Sequence, residues 1–160
     1  MNGGCLRNLE IRRLTKEDAA AVSRLLTSDP LEYRQHFHPF ATDDESVRVV
    51  LAEAVEDVYW GIWAGDLLGI VMLRGLDTGF ASPAFGVYVA REVSGAGIAS
   101  FALAFAEAWC RINGRSAIML TVDAENAAAR GLYEASGYRF AGELSDAGHR
   151  IYRKQLDGST

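Results

Sequence analysis

The chain has 160 residues, 49% of them hydrophobic and 23% charged, with a formal charge of −5. That length and composition fit one globular domain over residues 1–160 with a sizeable core, and they exclude a disordered protein. Only Lys16 and Lys154 are lysines among sixteen basic residues, so neither a basic field nor a Lys-rich run points to nucleic acid as a partner. Cys5 and Cys110 form neither a disulfide framework nor a metal-ligand cluster. Residues 1–9 lack an apolar signal core, and no stretch reaches the roughly 18 apolar residues of a membrane helix. A cytoplasmic protein with no metal and no membrane partner is expected.

In chain order, Leu9, Ile11 and Leu14 mark a short strand ending at Thr15, the predicted N-cap of a helix over residues 16–26, with Asp18 placed to complete a capping box. Asp29-Pro30 breaks that helix, and residues 31–41 are a loop or short helix rich in Tyr, Phe and His. Val47, Val50, Leu51 and Ala54 set a second helix over residues 43–55. Strands follow at 58–64 and 67–73, joined by Gly65-Asp66 as a tight hairpin, and a third at 84–89. Ile98, Phe101, Phe105, Ala108 and Ile112 form a helical stripe that Gly114 closes. A strand at 117–122, a helix at 126–136 and strands at 138–144 and 149–156 complete the chain. Hairpins supply antiparallel pairs and the strand-helix-strand crossover a parallel one, so the expected fold is mixed α/β, a mostly antiparallel sheet of about seven strands flanked by helices.

The stretch from Val87 to Ala99 carries the chemistry: an apolar strand, a glycine turn, then a long helix. Glycines let the main chain approach a ligand, and a helix N-terminus offers free N–H groups and a positive dipole end, which suit a phosphate-bearing ligand. A P-loop is excluded, because Ile98 and Ala99 occupy the region where Lys and Ser/Thr are required. A dinucleotide turn fits in part: Gly95 and Gly97 match its first two glycines, Ser100 replaces the third, and Asp123 could be the ribose acid. That alternative stays open, although the turn lies late in a short chain, after an antiparallel meander.

Ser94-Gly95-Ala96-Gly97-Ile98-Ala99 resembles the acyl-CoA pyrophosphate loop of the GNAT superfamily of N-acetyltransferases, with Gly97 and Ala99 matching and Ser94 standing where Gln or Arg is usual. Asn126 to Tyr138 resembles the second signature of that superfamily: Asn, then Ala, then Leu132-Tyr133, then Gly137-Tyr138. The resemblance implies an acetyl-CoA-dependent N-acetyltransferase that acts on a small-molecule or peptide primary amine by direct attack in a ternary complex, and it leaves a homodimer open. Acetyl transfer needs a neutral amine, a stabilised oxyanion and a proton for the departing thiolate. By resemblance, the backbone of Val87 and Val89 binds pantetheine and polarises the thioester, Ser94, Gly95, Ala96, Gly97, Ile98 and Ala99 hold pyrophosphate, and Tyr133 protonates the thiolate. Asn126 and Tyr133 are seven apart, about two helical turns, and can line one cofactor groove. Tyr33, His36 and His38 are candidates for the acceptor wall. The strand 84–89 holds no Glu or His, so Asp123, Glu92, the two loop histidines and a water chain all remain candidates for the base. A non-catalytic acyl-CoA sensor is the rival reading, one that would need no Tyr133.

Overall fold

The computed structural model describes residues 8–37, 39–144 and 148–156. In chain order the elements are β1 (Glu10–Arg13), α1 (Ala19–Ser28), α2 (Leu31–Arg34), α3 (Asp44–Glu53), β2 (Val58–Ala64), β3 (Asp66–Arg74) and β4 (Ala84–Val89). There follow α4 (Ile98–Ile112), β5 (Ala117–Asp123), α5 (Ala127–Ala135), β6 (Arg139–Leu144) and β7 (His149–Gln155). The strands form one seven-stranded sheet in the order β1-β2-β3-β4-β5-β7-β6. All neighbouring pairs are antiparallel except β4 and β5, which run parallel. Among the described residues no helix is long and apolar enough to cross a membrane.

Two expectations are corrected. The first helix has Thr15 as its N-cap and its capping box with Asp18, as expected, but it opens with a 3-10 turn, Lys16–Asp18, before α1. Here the Asp18 carboxylate accepts the Thr15 N–H at 2.8 Å while the Thr15 hydroxyl donates to Glu17, which tightens the first turn. The buried face of α4 is also not the expected aromatic stripe. It comprises Ile98, Ala102, Leu103, Ala106, Glu107 and Cys110, whereas Phe101 is 43% and Ile112 84% exposed. Ala102 and Ala106 have no side chain beyond Cβ, so the helix axis lies close over the sheet, and Phe105 reaches sideways to Trp60 at a ring distance of 5.0 Å. Ile62, Ile70, Leu73, Ile118 and Leu120 fill the sheet's interior, each such side chain contributing about 1.5–3 kcal/mol through burial.

Successive strand residues point to opposite faces, and this sorts the helical layers. On β2, Trp60 packs on Phe105 and Trp109 of α4, while its neighbour Tyr59 packs on Phe40. On β4, Phe85 meets Tyr133 of α5, while Tyr88 meets Tyr33 and Phe37. Helices α4 and α5 therefore cover one face, and the aromatic segment around α2 covers the other. Between β4 and β5 the pairing is confined to Ala84 and Met119, with the Met119 N–H donating to Pro83. Beyond that bridge the strands part, and the sheet is split in its middle.

Candidate active site

The split exposes main chain. Ala90 donates to Leu68 at 2.8 Å, and β4 pairs Tyr88 with Ile70 and Gly86 with Met72. In an antiparallel ladder hydrogen-bonded residues alternate, so Tyr88 and Gly86 direct their backbone groups to β3, and Val87 and Val89 direct theirs into the gap. The Val89 carbonyl is already engaged, accepting the Tyr33 hydroxyl at 2.6 Å. The Val89 N–H and both backbone groups of Val87 face the opening.

At the end of β4 the chain passes through a 3-10 turn, Arg91–Val93, and two glycines into α4. Gly95 and Gly97 have φ of +83° and +90°, where a side chain would be strained. Helix α4 begins with no side-chain cap and no acidic residue in its first turn, so its free N–H groups and positive dipole end meet no competing carboxylate. The Ser94 hydroxyl donates back to the Arg91 carbonyl, so this side chain is tied to its own turn while the main chain of the loop stays open.

Tyr133 is set by the end of α5. Asn126 caps the helix, its Oδ1 accepting the Ala129 N–H at 3.2 Å. At the other end, Gly137 N–H donates to Glu134 and Tyr138 N–H to Tyr133, with Gly137 at φ +93°. This is a Schellman closure, which brings the residue after the glycine against the third-last helical residue. Tyr138 accordingly lies edge-on to Tyr133, with ring centroids 5.9 Å apart. Phe85 closes the ring's other side. Behind them Glu107 accepts from the Tyr138 hydroxyl and from Lys154, which also donates to the Ser136 carbonyl. Burial pushes the Tyr133 hydroxyl up to about 12, so it is protonated at any physiological pH.

On the opposite face, Asp29 organises the wall. Its carboxylate accepts from the Tyr88 hydroxyl at 2.6 Å and from the Arg91 N–H at 3.1 Å, and its carbonyl accepts from Arg34. Phe37 stacks edge-on with Phe40 and Tyr88, and Arg74 holds the following turn by donating to the Pro39 carbonyl. His36 Nδ1 lies 3.1 Å from Asp123 Oδ2. The Glu125 N–H on the Asp123 carboxylate, then His36 and His149 beside it, hold that carboxyl below the usual range.

A single cavity of about 1020 Å³ joins the two faces through the split. It is lined by Gly97, Ser100, Asn126 and Tyr133 on one side and by Tyr33, His36, Asp123 and His149 on the other. This is about the upper end of the ~300–1,000 Å³ usual for small-ligand sites.

The family profile described as acetyltransferase (GNAT) domain matches residues 8–139. The chain belongs to the GNAT acetyltransferase family. Solved structures share its fold. An acetyltransferase from Thermus thermophilus superposes with a TM-score of 0.78 at 16% identity, covering 94% of this chain and 99% of the other. The PaiA N-acetyltransferase from Thermoplasma acidophilum, in complex with coenzyme A, gives 0.77 at 15% identity over 92% and 99%. Mutant forms of the spermidine/spermine N-acetyltransferase SpeG from Vibrio cholerae give 0.70 at 20% identity over 93% and 95%. A comparison with curated protein sequences returned no match.

Within this GNAT domain the cavity collects Val87, Val89, Ser94, Gly95, Gly97, Ile98, Ala99, Asn126, Tyr133, Tyr33 and His36 from the sequence-derived set. Ala96 is outside its lining, and so is the base candidate Glu92. His38 lies outside the described residues. The GNAT signatures could not reveal Asp29, which in sequence is only a helix breaker before Pro30. Nor could they reveal His149, which reaches the mouth because β7 sits beside β5. Cys110 is buried, its thiol pushed up to about 11, which rules out a nucleophilic role.

Proposed function

We propose that this chain transfers an acetyl group from acetyl-CoA to a primary amine by direct attack within a ternary complex. The observation that carries the proposal is the cavity through the split sheet, with the uncapped start of α4 and the buried Tyr133 on one face and Tyr33, His36 and Asp123 on the other. Acetyl-CoA supplies the thioester whose carbonyl carbon the amine attacks as the carbon–sulfur bond breaks. The residues present fit it: an uncapped α4 N-terminus for phosphate, and the Val89 N–H with the Val87 backbone groups, turned away from β3, to bind along β4. The amide of Asn126, whose Oδ1 is engaged in capping, keeps its NH2 available to the groove. Tyr133 holds a proton at the position where sulfur would depart, and the closeness of the two sites supplies effective concentration. In this reading the whole chain is a single acetyltransferase domain.

The test is a thiol-release assay with acetyl-CoA over spermidine, L-lysine amide, tyramine and an alanine-initiated peptide, alongside thermal-shift titration. Turnover with at least one amine and stabilisation by acetyl-CoA are expected. Stabilisation by NAD with none by acetyl-CoA would overturn the proposal in favour of a dinucleotide ligand.

A further inference from the structure

Resting on that reading, we infer that His36, oriented by Asp123, is the group that takes the proton from an acceptor arriving as an ammonium ion. The pair spans 87 residues of sequence, joining the segment after α2 to the end of β5 across the mouth of the cavity that also holds Tyr133. An ionised carboxylate can only accept, so the imidazole nitrogen that faces Asp123 must be the one that carries hydrogen. Nδ1–H donates to Asp123 Oδ2, and Nε2 keeps its lone pair as the basic nitrogen.

The carboxylate is held on both oxygens. Oδ1 accepts the Glu125 N–H at 3.0 Å while Oδ2 faces His36. Both side chains keep contact with water, at 33% and 27% exposure, so a proton collected by His36 can leave through the mouth. Among the described residues, the other charged or titratable groups around this mouth are Glu32, Tyr33, Arg74 and Tyr88 on one side, and His149 beside Asp123 on the other. Tyr33 is engaged with Val89, and Arg74 with Pro39. Glu32 and Asp123 favour approach of a cation.

The step balances simply. Nε2 takes one proton from the ammonium, leaving a neutral amine with its lone pair free and an imidazolium paired with the Asp123 carboxylate. The imidazolium then returns its proton to solvent. Asp123 carries no proton at any stage; it is a positioning residue, while His36 touches the acceptor.

The experiment measures thiol release from acetyl-CoA with the four acceptors named above between pH 6 and pH 10, for the natural chain, His36→Gln and Asp123→Asn. Thermal-shift titration with acetyl-CoA confirms that each variant folds and binds. Gln at position 36 can still bond to Asp123, so the wall is kept and only the basic nitrogen is lost. With alkylamine acceptors (pKa about 10.4) a kcat/KM deficit on the order of 100-fold near pH 7 is expected for His36→Gln, shrinking to a few-fold near pH 10, where free amine is abundant in solution. For the alanine-initiated peptide, whose α-amine has a pKa of about 8, the deficit should already shrink at about pH 8. For Asp123→Asn, where the imidazole is less firmly oriented, a smaller deficit is expected, again shrinking as pH rises. Imidazole NMR of the protein without acceptor adds a second readout: His36 should be the Nδ1–H tautomer in the natural chain and lose that preference in Asp123→Asn. A His36→Gln deficit equal at all pH values, or no deficit, overturns the assignment while leaving acetyl transfer intact. No thiol release by the natural chain with any of the four acceptors overturns both.

Discussion

Tyr133 shows what one residue owes to its surroundings. Its hydroxyl has no hydrogen-bond partner among the described residues, and burial alone raises it to about 12. A Tyr so shifted does not ionise near neutrality, as the proposed role of proton donor requires. Tyr133→Phe is expected to lower kcat for thiol release by about 10²–10⁴-fold while leaving acetyl-CoA binding by thermal shift unchanged. An unchanged rate across the amines would overturn the acid role assigned to Tyr133. The same shift has a signature in stability. A folded value of about 12 against about 10 in the unfolded chain means a contribution fully present below pH ~10 and lost as pH rises from 10 to 12. Chemical denaturation across that window should show a shallower alkaline loss for Tyr133→Phe than for the natural chain. Tyr33, Tyr59, Tyr88 and Tyr138 are also raised, so the variant should flatten the loss only in part.

At the scale of elements, one glycine within α5 and one just beyond its end have opposite consequences. Gly131 lies inside the helix with open space where a Cβ would sit. Gly131→Ala should raise stability by about 0.5–1 kcal/mol, read from the urea midpoint. Gly137 holds the left-handed position of the Schellman closure, and Gly137→Ala should lower stability by roughly 1 kcal/mol. It should also reduce kcat, because the closure seats Tyr138 against Tyr133. A second tie joins the α3–β2 and β3–β4 connections. The Asp77 carboxylate accepts the N–H groups of Val55, Glu56 and Asp57 at 3.1, 2.6 and 3.3 Å. Those amides hold its carboxyl below the usual range. The resulting stabilisation is present above the normal carboxylate value of about 4 and vanishes as pH falls through the lowered one. The stability gap between the natural chain and Asp77→Asn should therefore close on acidification from pH 6 to pH 2.

For the whole molecule, the contact that binds the late elements together is ionic. Lys154 on β7 meets Glu107 on α4 at 3.2 Å and the C-terminal carbonyl of α5 at 2.8 Å. Removing Lys154 leaves Glu107 mostly buried, at 8% exposure, with Tyr138 and the more distant Arg111 as its remaining partners. Lys154→Met is expected to cost on the order of 2–3 kcal/mol, less than the 3–5 typical of a fully buried pair because Lys154 is part-exposed. Adding Glu107→Leu should recover part of that loss in a double-mutant cycle. If the two effects merely add, the pair is not coupled as drawn.

The strands at 58–64 and 84–89 and the helix at 98–112 were legible because apolar runs there end at glycine or proline. The cofactor half of the site was legible for a related reason. A glycine turn into a helix and a Schellman closure are local devices whose residue requirements lie within a dozen positions. The buried face of α4 was not legible, since the alanines' advantage depends on how closely the sheet beneath approaches. Nor was the acceptor half, where Asp29 meets Tyr88 and Arg91 and His36 meets Asp123 across more than half the chain in one case. Sequence by itself determined the element order, the glycine turn into α4 and the closure of α5 beside Tyr133, because backbone conformation and short-range capping dictate them. Tertiary structure alone decided where the sheet splits and which side chains face one another across it, because sheet pairing sets those contacts irrespective of distance along the chain.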